Sequence, residues 1–227
     1  MKFGIFGTGV VGRTIAGKLA SLGNEVALGT RSVEASLARS EPGRYGEPPL
    51  KDWLEQHPGV RLADFAGAAR QGELLFNATS GQGALEALQQ AGEAHLNGKV
   101  LVDITNPLDF SQGMPPTLTV SNTDSLGEQI QRRFPQVKVV KSLNTVTASV
   151  MVDPGQIGGG AHQMFVCGND AGAKAEVVSL LKDCFGWQEV LDLGDISGAR
   201  GLEMYLPLWL RLMGVLQTPR FNIRIVR

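Results

Sequence analysis

Short apolar runs alternate with stretches whose apolar positions recur every three or four residues. Runs at 2–7, 25–30, 60–64, 73–79, 99–105 and 138–144 are nearly continuous in apolar residues, the pattern of strands covered on both faces. Between them lie helical patterns. Val11, Ile15, Leu19 and Leu22 repeat at helical spacing and predict a helix that stops at Gly23. Further helices are expected at 50–56, briefly after residue 64, at 83–96 and at 124–134. Strands that alternate with helices in this way predict an α/β fold, a doubly wound parallel sheet with helices on both faces.

The texture changes after Asn144. A short helical piece and a glycine-rich loop lead to a strand at 163–168, a helix at 171–186 and a strand at 188–195. A final helix is expected over 197–217, kinked at Pro207 because proline lacks the N–H that would continue the ladder. These features divide the chain into a nucleotide-binding domain at 1–145 and a small C-terminal α/β domain at 146–227, which would carry substrate contacts and a pairing surface. The last helix is apolar on most sides: Leu202, Tyr205, Leu206, Leu208, Trp209, Leu212, Met213 and Leu216. A helix apolar all round must be buried. Its cover is expected to be a second copy, giving a homodimer, with the first domain of its own chain as the alternative.

Residues Gly7-Thr8-Gly9-Val10-Val11-Gly12 match G-x-G-x-x-G between a strand and an amphipathic helix. That context makes the motif specific. Gly7 permits the turn, Gly9 lets backbone approach a pyrophosphate, and Gly12 lets helix pack on strand. The fold is therefore of the Rossmann type. The second strand leads into Gly29-Thr30-Arg31-Ser32, and no acid stands between Leu28 and Val33. NAD sites place a carboxylate here for the free 2′-hydroxyl, whereas the 2′-phosphate of NADP needs a cation and donors. Arg31 offers a planar fork and Thr30 and Ser32 offer hydroxyls. The expected cofactor is NADP(H).

In such sheets ligands sit beyond the carboxyl ends of the strands. Those ends carry small hydroxyls and amides: Thr79 and Ser80, then Thr105, Asn106 and Pro107, then Asn144 and Thr145. Each alone reads equally as a helix cap. Together they suggest a cofactor trough, with Pro107 and Asn144 on the nicotinamide half. No catalytic acid or base stands out, so hydride transfer by positioning is expected, with Asn144 and His162 as secondary candidates. His162 precedes a strand and could face the cleft. His57 and His95 lie far from it in sequence, and no metal-ligand spacing exists. A ketone reductase would need a proton donor such as Lys141, which the alternation of a strand turns away from Asn144. A flavin-like acceptor needs position more than proton chemistry.

Composition narrows the classes further. With 43% hydrophobic residues and a net charge of -1 over 227 residues, the chain carries no electrostatic footprint for nucleic acid. The most apolar stretch, 205–216, is too short for a bilayer span and contains Pro207 and Arg211, so no membrane partner is expected. Two cysteines without C-x-x-C spacing read as reduced thiols of a cytoplasmic protein.

The segments GIFGTGVVGRTIAGKLASLGNEVALGTRS, LVDITNPLDF, KVVKSLNTV and PLWLRLMG together resemble the NADP oxidoreductase, coenzyme F-420-dependent family. They are also similar to the cytosolic reductase domain of membrane ferric reductases. The resemblance implies a Rossmann domain with a small C-terminal domain, usually dimeric. It implies hydride transfer between NADPH and a small-molecule redox acceptor, a deazaflavin (coenzyme F-420) or a flavin. By that likeness Gly7, Thr8, Gly9, Val10, Val11 and Gly12 would hold the pyrophosphate. Thr30, Arg31 and Ser32 would hold the 2′-phosphate, and Thr79, Asn106, Pro107 and Asn144 would line the nicotinamide side. Two features depart from the family pattern: Asn144 stands where archaeal members carry His, and residues 41–59 are inserted. Two other functions remain open at this point. One is an NADP(H)-binding redox sensor without turnover. The other is a hydroxyacid-type dehydrogenase using Lys141 or His162.

Overall fold

A computed structural model describes residues 1–43 and 46–227. Its strands are β1 (Lys2–Phe6), β2 (Glu25–Thr30), β3 (Val60–Asp64), β4 (Leu74–Asn77), β5 (Val100–Asp103), β6 (Leu108–Asp109), β7 (Thr117–Leu118), β8 (Lys138–Ser142), β9 (Gln163–Gly168) and β10 (Glu189–Asp192). Its helices are α1 (Val10–Ser21), α2 (Val33–Leu37), α3 (Leu50–Glu55), α4 (Phe65–Gln71), α5 (Ala84–Ala91), α6 (Glu93–Leu96), α7 (Leu126–Arg133), α8 (Ala148–Val152), α9 (Ala171–Asp183), α10 (Ala199–Met204) and α11 (Leu206–Leu216). Eight strands form one sheet in the order β10-β9-β8-β5-β4-β1-β2-β3, and β6 and β7 make a separate small hairpin.

The fold is α/β with a mostly parallel sheet, as the alternating pattern predicts. The strands from β3 to β8 run parallel, and β9 pairs antiparallel with β8. The division expected at residue 145 falls inside this one sheet, because β9 and β10 extend it beyond β8 rather than building a second. Helices cover both faces. Ile15, Leu19, Val150, Val177 and Leu181 belong to the core on one face. On the other, Ala68, Ala87, Leu88, Ile130 and Leu202 lie in a second core. The 41–59 segment joins the first core through Leu50 and Trp53.

Three helical segments differ from the expected ones. The run at 83–96 breaks at Gly92, whose φ of 85° belongs to no right-handed helix. The five-residue α2 gives no periodic signal. The final helix breaks at Tyr205, just before Pro207, so α10 and α11 are separate. Nor is α11 covered: of its residues only Leu206 is buried, while Leu208, Val215 and Leu216 are 56%, 80% and 50% exposed. Its apolar pattern is real, but its own chain does not fill it.

One buried ion cluster ties these parts together. Lys141 on β8 is fully buried, with Nζ 2.8 Å from Asp103 Oδ2, 2.7 Å from Glu203 Oε1 and 2.5 Å from the Thr105 carbonyl. The Glu203 carboxylate, on α10, also accepts the free N–H groups of Leu126 and Gly127 at the start of α7. Burial pulls the pKa of Lys141 down, but Asp103 and Glu203 raise it by more, and the net shift is upward. A lysine raised on folding contributes stability in full below its unfolded pKa. That contribution is lost only as pH rises through the folded value, so the cluster holds through neutral and mildly basic pH. Lys141→Met leaves two buried carboxylates without their cation. It is expected to cost about 3–5 kcal/mol, read as a fall in the urea midpoint at pH 7.

Candidate active site

The glycine loop sits where β1 meets α1, and its three glycines answer to different constraints. Gly7 has φ of 111°, and a Cβ there would lie 2.6 Å from the Ala78 carbonyl oxygen. A Cβ on Gly12 would collide with the carbonyl oxygen of Gly7. Both are demanded by the protein's own packing. Gly9 is not: a Cβ there would meet nothing within 4 Å, and its φ of -75° suits any residue. Gly9 faces open space in a cavity wall, the position where a close-approaching ligand, not the protein, would require a bare backbone.

A cavity of about 600 Å³ brings together Gly7, Thr8, Gly9, Thr30, Arg31, Ser32, Thr79 and Ser80 from the ends of β1, β2 and β4. A neighbouring cavity of about 640 Å³ runs along Thr8, Gly9, Val10 and Arg13 to residues of the 41–59 segment. Val11 packs against the core and Gly12 is buried behind the loop. Arg31 is exposed, its nearest acid being Glu86 at 3.9 Å. The Thr30 hydroxyl pairs with that of Ser36 at 2.6 Å. Ser32 caps α2 by accepting from the Ala35 N–H, which leaves its own proton free to donate outward. Thr79 donates its hydroxyl to Asn77 at 2.7 Å, while Ser80 makes no cap bond.

Two residues of this region were not singled out from sequence. Arg39 lines both cavities, and Ser36 joins them. The short α2 that places them has no readable period. Arg13 is a third: its Nε donates to the Thr8 carbonyl at 2.8 Å and its Nη1 to the Pro48 carbonyl at 2.5 Å. It thereby straps the inserted segment to the glycine loop.

Of the expected nicotinamide-side residues, Asn106, Pro107 and Asn144 form a second group at the ends of β5 and β8, whereas Thr79 lies beyond β4 in the cavity with Arg31. Asn144 Nδ2 donates to Asn106 Oδ1 at 2.9 Å, and Asn106 Nδ2 donates to the Asn144 carbonyl at 3.0 Å. Asn144 Nδ2 also donates to the Leu202 carbonyl at 3.1 Å. Pro107 is buried beside them. Gly81, which follows Ser80, lies so close that a Cβ would strike the Asn106 carbonyl oxygen. The backbone before Asn144 is strained, because Leu143 has φ of 63°, a left-handed conformation that a leucine adopts at a cost of about 1–2 kcal/mol. This turn breaks strand alternation at the point where it was used to separate Lys141 from Asn144.

Both proton-transfer candidates are spoken for. His162 does not face the cleft. It is buried edge-on against Trp187, its Nε2 donates to the Pro154 carbonyl, and its Nδ1 accepts from Asn222 Nδ2. Lys141 is enclosed by Asp103 and Glu203. The hydroxyacid-type dehydrogenase therefore loses both of its candidate groups. Cys167 is buried and its thiol is pushed up to about 12 by burial, so it is no nucleophile. His57 stacks on Trp53 at 4.0 Å, packing the inserted segment on α1. No helix among the described residues is long and apolar enough to cross a membrane.

Fold and site together define a Rossmann-type oxidoreductase that uses a dinucleotide. The comparisons sharpen this. Residues 2–107 match the family described as NADP oxidoreductase coenzyme F420-dependent. A crystal structure from Arthrobacter sp. FB24, provisionally titled an F420-dependent NADP reductase, is 59% identical over the whole of both chains, with a TM-score of 0.95. The F420-dependent NADP reductase of Methanothermobacter marburgensis is 27% identical over 93% of this chain and 92% of its own length. Metalloreductase STEAP3 of Rattus norvegicus is also 27% identical, over 92% of this chain but 38% of its own length. The chain belongs to the coenzyme F420-dependent NADP oxidoreductase family and is an NADP-dependent oxidoreductase.

The two kinds of glycine predict opposite phenotypes. Gly12→Ala is expected to lose about 1–3 kcal/mol by overpacking against Gly7, with a lower melting temperature. Gly9→Ala is expected to melt with the parent protein and to lose NADPH affinity instead, as titration of the two purified variants would show.

Proposed function

We propose that this protein passes a hydride between NADPH and a flavin- or deazaflavin-type ring, coenzyme F420 being the deazaflavin that its relatives' names point to. The observation that carries the cofactor half is the open wall at Gly9 beside a cationic, acid-free pocket edge. Gly7 to Gly12 would hold the pyrophosphate through backbone N–H groups at the start of α1. Arg31 and Ser32 would hold the 2′-phosphate, with Thr30 acting through its pair with Ser36. Thr79, expected on the nicotinamide side, shares the cavity of Arg31 and so with Ser80 would line the adenosine side, while Asn106, Pro107 and Asn144 would line the nicotinamide side. When bound, NADPH supplies the hydride. The chain's own residues orient the ring and exclude water, and none of them needs to move a proton. The enclosed Lys141 and the doubly bonded His162 favour an acceptor of this kind over a carbonyl compound.

We also propose that α11 pairs with a second copy of the chain. Leu208, Val215 and Leu216 on one short helix form an apolar surface of the kind that marks an association site. Residues 146–227 would then supply both the acceptor side and the pairing face.

Charged hydrogen bonds are worth about 1.5–3 kcal/mol each, so Arg31→Ala is expected to weaken NADPH binding roughly ten- to a hundred-fold with little effect on NADH. Equal loss for both nucleotides would reject the 2′-phosphate role. A panel of coenzyme F420, FMN, FAD, ferric chelate and simple aldehydes, followed by NADPH oxidation, is expected to give turnover with the ring acceptors. Inactivity with all of them, alongside tight NADPH binding, would favour the sensor. Sedimentation at micromolar concentration is expected to show a dimer, and Leu208→Glu with Val215→Glu a monomer.

A further inference from the structure

The cavity that gathers Thr30, Arg31 and Ser32 also contains Arg39, to which the 2′-phosphate reading gives no task. Arg39 reaches it along a helical face. Ser32, Ala35, Ser36 and Arg39 stand at i, i+3, i+4 and i+7, the spacing of one side of a helix, and all four line the cavity. The Ser36 N–H donates to the Ser32 carbonyl at 3.1 Å. Ala38, with φ of -73° and ψ of -14°, carries the helical backbone one residue beyond α2. The face is also pinned from below. The buried hydroxyls of Thr30 and Ser36 bond to each other at 2.6 Å, which ties α2 to the end of β2. Ala35, one turn before Arg39, is too small to block a guanidinium that folds back across it.

The charge of this cavity is one-sided. Its lining holds two guanidiniums, those of Arg31 and Arg39, and no carboxylate. Among the described residues no hydrogen bond or ion pair engages the exposed Arg39. The contact of Arg31 with Glu86, at 3.9 Å between two exposed side chains, holds it only weakly. Two like charges facing one cavity repel each other, and an anion between them turns that repulsion into attraction. A phosphate monoester carries about two negative charges near neutral pH, which matches the pair. The neighbouring cavity, which Arg39 also lines, is different: there Glu41 and Glu47 stand beside Arg13, so cations and acids balance. Arg13 is moreover committed to the Thr8 and Pro48 carbonyls. The pyrophosphate has the glycine loop and the start of α1 to hold it. The excess positive charge lies instead beside Ser32, at the end of β2.

We propose that Arg39 is a second cation of the 2′-phosphate site and, with Arg31, sets the preference for NADPH over NADH. Arg31 meets the group from the turn after β2, and Arg39 from two helical turns further on. The proposal deepens the 2′-phosphate reading given above and rests on it. It assigns the charge of the pocket to two residues eight apart in sequence, of which only Arg31 belongs to the strand end where such a cation is ordinarily sought.

The test is calorimetric titration of the full-length protein with 2′,5′-ADP and NADPH, which carry the 2′-phosphate, and with ADP and NADH, which lack it. Arg39→Ala is expected to weaken the first two roughly five- to twenty-fold, less than a buried charged hydrogen bond would cost because solvent screens the exposed guanidinium. Binding of ADP and NADH and the ligand-free melting temperature should match the parent protein. Arg39→Lys is expected to recover part of the loss, since it keeps the charge without the planar fork. The proposal is overturned if Arg39→Ala binds 2′,5′-ADP as the parent does. It is equally overturned if all four nucleotides weaken alike, because Arg39 would then serve a group common to them or the fold itself. Arg31→Ala separates this from the reading beneath it. If Arg31→Ala weakens 2′,5′-ADP and Arg39→Ala does not, the 2′-phosphate stays with Arg31 and Ser32 and only the second cation falls. If neither variant affects 2′,5′-ADP, both fall.

Discussion

The enclosed ammonium of Lys141 fixes the relation of four elements at once. Its partners Asp103 and Glu203 sit on β5 and α10, it stands on β8, and Glu203 reaches the first turn of α7. Burying three charges is costly and is offset only when the bonding is complete. Here it nearly is: Asp103 also accepts from Thr105 and Asn77, and Glu203 from two backbone N–H groups. Alternative placements of α10 would leave a carboxylate unpaired in the core. The cluster therefore specifies where the α10–α11 bend must lie, and with it the position of the groups beside Asn106 and Asn144.

At the other end of the site the constraint is steric rather than electrostatic. Gly7 and Gly12 let α1 press against β1 and β4, so the loop between them is held from behind. Gly9 is left facing outward with room to spare. Arg13 then fastens that loop to the inserted segment, and Trp53, Leu50 and His57 fasten the segment to α1. The glycine loop is thus rigid on the protein side and bare toward the cavity, the arrangement that preorganised anion binding requires.

Much of this was legible in the residues. The sheet, the glycine loop and the acid-free second strand end follow from apolar periodicity and from Gly7 to Ser32, because both signals are local. Asn106, Pro107 and Asn144 were legible as strand ends, and the structure brings them together. What stayed hidden depends on contacts between distant segments. Ser36 reaches the cavities from a helix too short to show a period, and Arg39 from the irregular segment just after it. The left-handed Leu143 leaves no trace in composition. The direction of β9 cannot be read from an apolar run, which looks the same in either sense. His162 looked free because its partners, Pro154 and Asn222, come from a glycine-rich loop and the chain's tail. The apolar stripe of α11 was visible, yet a stripe does not say what covers it.

The reversal of β9 has a consequence for how such a protein can change. Had β9 run parallel to β8, its far end would have met the ligand edge, and the loop before it would have lain on the opposite rim. Running backwards, it delivers the β8–β9 connection and the terminal segment to the same rim as the nucleotide. On the proposed function, the nucleotide's phosphates meet the first third of the chain and the recipient meets the last third. Mutations would then retune one partner while the other is left alone, and a lineage would exchange its recipient without relearning its donor.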